Sequence, residues 1–229
     1  MSGFIEPTIL SPELLLRAYA AGIFPMSESR DDPQVFWVDP VTRGILPLDA
    51  YHIPRSLKKA VRKGLFEIRC DSAFEQVLEL CAEPGAGREN TWINPSIQDA
   101  VIKLHEMGFA HSVECWQGNR LVGGLYGIAL GAAFFGESMF SRETNASKIA
   151  LVHLLAYLKM GNFQLLDTQF VTEHLTRFGT IEIPARDYLT RLEKALKYQS
   201  LFRGNAEEAE MKLALDQVLE GSSHLPAPA

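Results

Sequence analysis

The sequence predicts an α+β fold, with a small N-terminal unit over residues 1–50 and a larger domain with a mixed β-sheet over residues 51–203. Helix signals and strand signals alternate along the chain. Three apolar segments joined by tight turns follow residue 110, and an apolar helix, another strand and another helix come after them. The chain has 229 residues, of which 47% are hydrophobic, and is therefore long enough to bury a full core.

The N-terminal unit begins with a short helix. In "SPELLLRAYAAG", Ser11 is suited to cap a helix, Pro12 fits its first turn and Gly22 fits its end, which predicts a helix over residues 12–21. Residues 35–50, "VFWVDPVTRGILPLDA", combine apolar pairs with Pro and Gly. They predict short strands and turns.

The first half of the larger domain is predicted to be mostly helical. A basic helix over residues 54–63 precedes the strand "FEIRC" and the helix "DSAFEQVLELCA", where Ser72 and Glu75 have the spacing of a capping box. A loop, "AEPGAGRENTW", separates this helix from "NPSIQDAVIKLHEMG". The second segment predicts another helix, with Asn94 as its cap.

The second half of the larger domain alternates strands and helices. "AHSVECW", "RLVGGLYGIALG" and "AAFFGESMF" predict three antiparallel strands, and "NASKIALVHLLAYLKMGN" predicts an apolar helix from about Asn145 to Gly161. The strand "FQLLDTQF", a short helix, the strand "TIEI" and a helix over residues 186–199 follow. This order favours an acetyltransferase-like fold. Residues 204–229 predict a tail that is partly helical and partly disordered.

Composition excludes several classes of protein. No apolar run approaches the roughly 20 residues that a membrane span needs, and the N-terminus lacks the pattern of a signal peptide, so a cytoplasmic protein is expected. The three cysteines have no CxxC spacing, which predicts buried thiols and no metal site. The sequence contains no P-loop, GxSxG, HExxH or dinucleotide-binding fingerprint, which argues against ATPases, serine hydrolases, zinc proteases and dehydrogenases.

Polar residues interrupt two of the predicted strands. Asp167 and Gln169 are two positions apart in "FQLLDTQF" and therefore point to the same face, and Glu137 follows Gly136 in "FFGESMFS". They are either buried structural groups or parts of a catalytic site. Trp37 and Trp92 lie in loop-like surroundings, which suits either a core anchor or a platform on which a base stacks.

The predicted helix over residues 54–63 carries a basic stripe on a chain whose net charge is −6. Its cations recur at helical spacing along one side, with Leu57 and Val61 on the other, and no acidic residue interrupts them. Such a stripe is either a solvated face or a local contact for phosphate groups. Its members are Arg55, Lys58, Lys59, Arg62 and Lys63.

Many segments together resemble one family. The sequence is similar to bacterial leucyl/phenylalanyl-tRNA–protein transferases in "AYAAGIFPM", "WVDP", "HIPRSL", "TWI", "LHEMGFAHSVECW", "LVGGLYG", "FFGESMFS", "NASKIAL", "LLDTQF", "HLTRFG" and "IPARDYL". The resemblance implies transfer of Leu or Phe, and less well Met, from aminoacyl-tRNA to proteins that begin with Arg or Lys, which marks them for N-end rule degradation. It also implies a small N-terminal domain before an acetyltransferase-like domain.

The resemblance assigns roles to individual residues. Trp92 matches the position that stacks on the terminal adenosine of the tRNA, and Glu137, Asp167 and Gln169 match the polar active-site positions. The basic stripe matches the helix that grips the acceptor stem. The positions that match the pocket for the transferred side chain are Trp37, Leu125, Phe134, Met139, Leu151, Leu154 and Leu166. At two of these positions a member of the family has Met and Phe where this chain has Leu125 and Leu154.

The chemistry that the resemblance implies needs no cofactor and no metal, because the ester of aminoacyl-tRNA is already activated and an α-amino group with a pKa near ~8 is partly neutral at physiological pH. The Gln169 carbonyl oxygen is expected to accept a hydrogen bond from the attacking amine, with Asp167 fixing its orientation. A monomer without membrane contact is expected. An acyl-CoA N-acetyltransferase and a non-catalytic tRNA-binding protein remain as alternatives.

Overall fold

The computed structural model describes residues 10–84 and 90–221, which form helices and strands in an α+β arrangement. In chain order the elements are α1 (Pro12–Ala20), β1 (Phe24–Met26), β2 (Phe36–Val38), β3 (Thr42–Ile45), α2 (Arg55–Arg62), β4 (Glu67–Cys70), α3 (Phe74–Ala82), α4 (Pro95–Glu106), β5 (Ala110–Gln117), β6 (Arg120–Leu130), β7 (Ala133–Ser141), α5 (Ala146–Met160), β8 (Leu165–Gln169), α6 (Glu173–Thr176), β9 (Ile181–Pro184), α7 (Ala185–Leu196) and α8 (Glu208–Gly221).

Seven strands form one mixed sheet, in the order β4-β5-β6-β7-β8-β3-β9. Strands β7 and β8 pair in parallel, and every other neighbouring pair is antiparallel. The predicted α+β class and mixed sheet are confirmed. Strand β3 comes from the predicted N-terminal unit yet lies inside this sheet, whereas β1 and β2 form a separate antiparallel pair. The domain boundary at residue 50 stays a prediction.

Helices cover both faces of the sheet. Along the strands, neighbouring residues alternate between two cores: Tyr126 and Phe135 pack on one face, and Leu125 and Phe134 on the other. Helices α1, α3, α4 and α7 contribute to the first core, and α2, α5 and α8 to the second. The structure thus has three layers, with the sheet in the middle.

Local capping signals explain where some helices begin. The side chain of Ser11 accepts a hydrogen bond from Leu14 N at 3.2 Å, and Asn94 Oδ1 accepts one from Ile97 N at 2.9 Å, as predicted. The capping box at Ser72 is wrong. Helix α3 begins at Phe74 without a side-chain cap, and the carboxylate of Glu114 on β5 accepts hydrogen bonds from the backbone N–H groups of Ser72 and Ala73. A distant strand therefore replaces the local cap.

Two further segments, one predicted as a strand and one as a partly helical tail, have the following places in the structure. The glycine-containing segment "RLVGGLYG" belongs to strand β6, where a Cβ at Gly123 would lie 2.4 Å from the Cβ of Ala146 on α5. Gly123 therefore allows close packing of α5 on this strand. Residues 208–221 form α8, which packs on α5, while residues 222–229 lie outside the described part of the chain.

The prediction of buried thiols is confirmed for two of the three cysteines. Cys70, Cys81 and Cys115 are free thiols, the last two of them buried. No helix within residues 10–84 and 90–221 is long and apolar enough to cross a membrane.

Candidate active site

A cavity of about 440 Å³ opens where strands β7 and β8 separate. The two strands pair in parallel from Ala133 and Leu165 as far as Phe135 and Asp167. Beyond that point β7 stays on β6, while β8 stays on β3. The gap exposes the ends of both strands to one space, which α5 and α6 close from the side.

One part of this cavity is apolar. Five of the seven predicted side-chain pocket residues line it, namely Leu125, Met139, Leu151, Leu154 and Leu166. Trp92, the predicted base-stacking residue, also lines it, as do Phe140, Phe170 and Leu175, which the sequence analysis did not single out. This part of the cavity can hold a large aliphatic or aromatic side chain, which would contact mainly apolar side chains there.

Two of the predicted pocket residues lie elsewhere. Phe134 is fully buried and its ring stacks on Phe202, with centroids 5.6 Å apart, on the α5 side of the sheet. Trp37 is 36% exposed on β2, opposite Pro25 of β1. Neither lines the cavity, so the structure does not bring them together with the other predicted pocket residues.

Glu137 enters the cavity from a β-bulge. Tyr126 of β6 lies opposite Ser138 and Gly127 lies opposite Gly136, which leaves Glu137 as the extra residue of β7. Bulges redirect side chains next to functional sites. Burial raises the pKa of Glu137 from 4.5 to about 7, although Tyr19 and Gln169 lie close enough to lower it.

Three buried polar atoms meet at this end of the cavity without well-oriented hydrogen bonds. They are the hydroxyl oxygen of Tyr19, Oε1 of Glu137 and Nε2 of Gln169, which are shielded from solvent, and Tyr19 and Gln169 lie beside the Glu137 carboxyl group. Buried polar groups are otherwise almost always hydrogen-bonded. The cluster can therefore bind a polar ligand at the edge of the apolar cavity.

Asp167 lies beneath the cavity and does not line it. Its fully buried carboxylate accepts hydrogen bonds from Arg43 Nε at 2.9 Å, Arg43 Nη2 at 2.7 Å and the Tyr188 hydroxyl at 2.6 Å. Arg43 is also buried and donates to the backbone oxygen of Gly22 at 3.0 Å. The ion pair is thus satisfied on both sides, as buried charges require.

Asp167 orients Gln169 through the backbone. Its Oδ1 atom accepts a hydrogen bond from Gln169 N at 2.7 Å, and Gln169 has a φ of +61°, in the left-handed region that non-glycine residues seldom adopt. Gly44 on β3 makes room for this bend, because a Cβ there would lie 2.7 Å from the carbonyl carbon of Phe170. Strained backbone of this kind is concentrated at functional sites.

Comparison with known proteins decides the family. A family model described as leucyl/phenylalanyl-tRNA protein transferase matches residues 45–193, and a model of the N-terminal domain of the same transferase matches residues 9–41. The chain belongs to the leucyl/phenylalanyl-tRNA–protein transferase family. It is therefore an aminoacyltransferase, and the residues that line the cavity lie within the first of these matched ranges.

Curated relatives agree with this assignment. The transferase of Paramagnetospirillum magneticum is 58% identical over 87% of this chain and 96% of the relative. That of Zymomonas mobilis is also 58% identical, over 82% of this chain and 70% of the relative. Among solved structures, L-PGS from Bacillus licheniformis aligns over 90% of this chain and 76% of that one, with 12% identity and a TM-score of 0.42.

The basic stripe of this transferase lies on α2 as predicted. Leu57, Ala60 and Val61 are buried against the core, and four of the five cations are exposed. Lys58 differs, because its Nζ donates a hydrogen bond to the backbone oxygen of Leu219, at 2.6 Å, in the last turn of α8. The exposed members are Arg55, Lys59, Arg62 and Lys63.

The sequence analysis missed the residues that support this transferase's polar site. Arg43 and Tyr188 hold Asp167, and the hydroxyl of Tyr19 lies against Glu137. Arg43 gave one usable signal, because it is the single cation in the segment 35–50 that is predicted to form short strands and turns, and it could have been matched to the single anion of "FQLLDTQF". The two tyrosines lie at helical positions typical of ordinary core residues and gave none.

Proposed function

We propose that this enzyme transfers Leu or Phe, and less well Met, from aminoacyl-tRNA to the N-terminal α-amino group of proteins that begin with Arg or Lys. The reaction forms a peptide bond and marks the acceptor for N-end rule degradation in the cytoplasm. The observation that carries the proposal is the cavity between β7 and β8, where an apolar wall adjoins the polar pair Glu137 and Gln169. The aminoacyl ester of Leu or Phe likewise combines an apolar side chain with a polar reacting group.

The apolar wall supports the choice of amino acid. A polar side chain buried against Leu125, Leu151 and Leu166 would lose its hydrogen bonds to water without replacement. That loss costs about 1 to 3 kcal/mol by mutational data. Leu, Phe and Met pay no such penalty and gain from burial.

The polar pair supports the chemistry. The ester bond is already activated, so the site needs chiefly to align the amine with the ester and to accept a proton. Gln169 offers its carbonyl oxygen to the attacking amine, while the hydrogen bond from its backbone N–H to Asp167 fixes its position. Glu137 holds a cation of the substrates, either the ammonium of the amino acid or the basic side chain of the acceptor protein.

The nucleic-acid part of the substrate is assigned to two other features. Trp92 offers a flat ring for the terminal adenosine beside the cavity. The exposed cations of α2 contact phosphates of the acceptor stem. The overall charge of −6 keeps this contact local.

One assay separates the proposed reaction from its rivals. Labelled Leu on charged tRNA is incubated with the enzyme and a peptide that begins with Arg, and acetyl-CoA serves as the alternative donor. Leucyl transfer without acetyl transfer is expected. Acetyl transfer would show an N-acetyltransferase, and binding of tRNA without any transfer would show a binding protein.

A matched peptide with citrulline in place of Arg reports whether the acceptor's positive charge is required.

The finer fold assignment is also a proposal. An acetyltransferase-like domain is supported by the parallel strands β7 and β8, which α5 connects and which separate at the active site. We further propose that the protein acts as a monomer, with a small N-terminal domain before residue 51.

A further inference from the structure

A second cavity, of about 280 Å³, adjoins the first. It lies where α2 and α5 begin and is closed by α6, and His174 lines both cavities. Its remaining lining residues are His52, Pro54, Ser56, Leu57, Asn145, Lys148, Arg177 and Phe178. The reaction proposed above makes no use of this space.

The lining of the second cavity is positive. It contains Lys148, Arg177 and two histidines, and no carboxylate among the described residues. Lys148 is half-buried and forms no ion pair within residues 10–84 and 90–221. Arg177 pairs at 3.2 Å with Glu173, whose side chain is 91% exposed. Solvent screens that pair, so it leaves most of the positive charge uncompensated.

One helix end and one histidine at this cavity lack hydrogen-bond acceptors. Helix α2 begins here without a side-chain cap and without an acidic residue in its first turn, so its first N–H groups are available to an anion. At the start of α5, by contrast, Ala146 N and Ser147 N already donate to Glu143 O and Ser141 Oγ. His174 Nε2 is shielded from solvent and has no hydrogen-bond partner in the described part of the chain. Burial and the charges of Lys148 and Arg177 lower the pKa of His174.

We propose that the second cavity binds the phosphodiester on the 5′ side of the terminal adenosine of aminoacyl-tRNA. The inference rests on the proposed function, which places that adenosine in the neighbouring cavity. The 3′ strand then runs from the exposed cations of α2, past the start of that helix, to the first cavity. Lys148, Arg177 and His174 supply charge-assisted hydrogen bonds to the phosphate oxygens.

The test compares two ligands that differ by one phosphodiester and one nucleoside. The dinucleotide CpA contains the phosphate, and adenosine does not. Binding of each is measured by calorimetry to the wild-type enzyme, to Lys148→Gln and to Lys194→Gln, an exposed lysine of α7 outside both cavities. Lys148→Gln is expected to weaken CpA about tenfold, which is typical for a lost charged hydrogen bond. Adenosine is expected to bind all three proteins equally.

A second readout does not depend on the variant. CpA is expected to raise the pKa of His174, followed by NMR, because a nearby anion favours the imidazolium form. Adenosine is expected to leave it unchanged. If CpA binds Lys148→Gln as it binds the wild type and leaves the His174 pKa unchanged, the phosphate lies elsewhere. If inorganic phosphate binds and depends on Lys148 while CpA does not, the cavity holds free phosphate and the proposal is wrong.

Failure of the proposed function gives a different result. Leucyl-adenosine has the ester and the adenosine but no phosphate, so the wild-type enzyme is expected to transfer its Leu to a peptide that begins with Arg. Absence of that transfer, and of transfer from charged tRNA, would overturn the proposed function. Transfer from both donors, together with unchanged CpA binding in Lys148→Gln and an unchanged His174 pKa, would overturn only the phosphate site.

Discussion

At the scale of residues, the polar site is built in two tiers. Gln169 and Glu137 line the cavity, and Asp167, Arg43 and Tyr188 lie behind them. The strand "FQLLDTQF" was enough to single out Asp167 and Gln169, because burying polar groups on an apolar strand is costly unless they form hydrogen bonds. It could not show that Asp167 contacts the backbone of Gln169, since this depends on a left-handed residue that no pattern of side chains reveals.

The two tiers predict different outcomes for two alanine variants. Gln169→Ala is expected to lower turnover about 100-fold and to leave the melting temperature nearly unchanged, because it removes an oriented catalytic group. Asp167→Ala is expected to lower turnover similarly and also to destabilise the protein by about 3 to 5 kcal/mol, because it leaves the buried Arg43 unpaired. Single-turnover transfer and thermal unfolding measure the two effects.

Gln164→Ala is the matched control, since Gln164 is exposed one residue before β8. It is expected to keep both turnover and melting temperature. Near wild-type transfer by Gln169→Ala would show that this side chain is structural, and the chemistry would then have to be sought around Glu137.

Glu137 gives the stability of the protein a specific pH dependence. Its pKa is raised from 4.5 to about 7 in the folded state, so the folded protein favours the protonated carboxyl group. The resulting stabilisation is complete below pH 4.5 and is lost as the pH rises to about 7. Melting temperatures of the wild type and of Glu137→Gln, measured across this range, are expected to converge or cross as the wild type loses its advantage. A constant difference from pH 4 to pH 8 would contradict the raised pKa.

At the scale of elements, helices were easier to predict than their surroundings. Caps at Ser11 and Asn94 are local signals, and both are confirmed. The start of α3 depends on Glu114, 42 positions further along the chain than Ser72, and the position of β3 depends on β8 and β9. Neither contact has a local sequence signal. Sequence periodicity therefore predicted where helices and strands lie along the chain but not which of them contact one another.

The exposed cations of α2 are predicted to contribute to tRNA binding. Replacing Lys59, Arg62 and Lys63 together by Ala is expected to weaken tRNA binding and to reduce the slope of log affinity against log salt by about 2 to 3, one phosphate contact per cation. Filter binding across a salt series measures this. An unchanged slope would show that the exposed side of α2 is only a solvated face.

Lys58→Ala is the comparison for this experiment. Because its Nζ contacts the backbone of Leu219, it is expected to loosen the end of α8 while changing the salt slope less than any exposed cation does. Hydrogen exchange of α8 reports the first effect. A larger salt effect at Lys58 than at Lys59 would show that it leaves α8 to bind tRNA.

At the scale of the whole molecule, the separation of two parallel strands determines where the site lies. The gap between β7 and β8 joins the apolar face under α5 with polar groups of the opposite face, near α1. The side chain of the transferred amino acid and the polar groups of the site can thus lie in one cavity. The sequence indicated both sets of residues but not the gap, because strand separation is a property of the assembled sheet.

The apolar half of this space predicts a ranking of donors. Transfer from tRNA charged with Leu, Phe or Met is expected to exceed transfer from tRNA charged with Ser or Asp by about tenfold or more, since burying an unpaired polar group costs about 1 to 3 kcal/mol. Competition between equal amounts of charged tRNAs measures the ranking. Equal rates would show that the side chain stays outside the cavity.

The insertion of β3 between β8 and β9 also has a consequence for synthesis. Arg43 and Asp167 are 124 positions apart, so the N-terminal strand has no partner in the sheet until most of the chain has left the ribosome. Such distant pairings close late, because the entropy of a long loop must be overcome first. Gln169 of β8 lies opposite Gly44 of β3, so this closure also completes the surroundings of the candidate active site. A chain that ends before β8 is therefore expected to lack both the complete sheet and the candidate site.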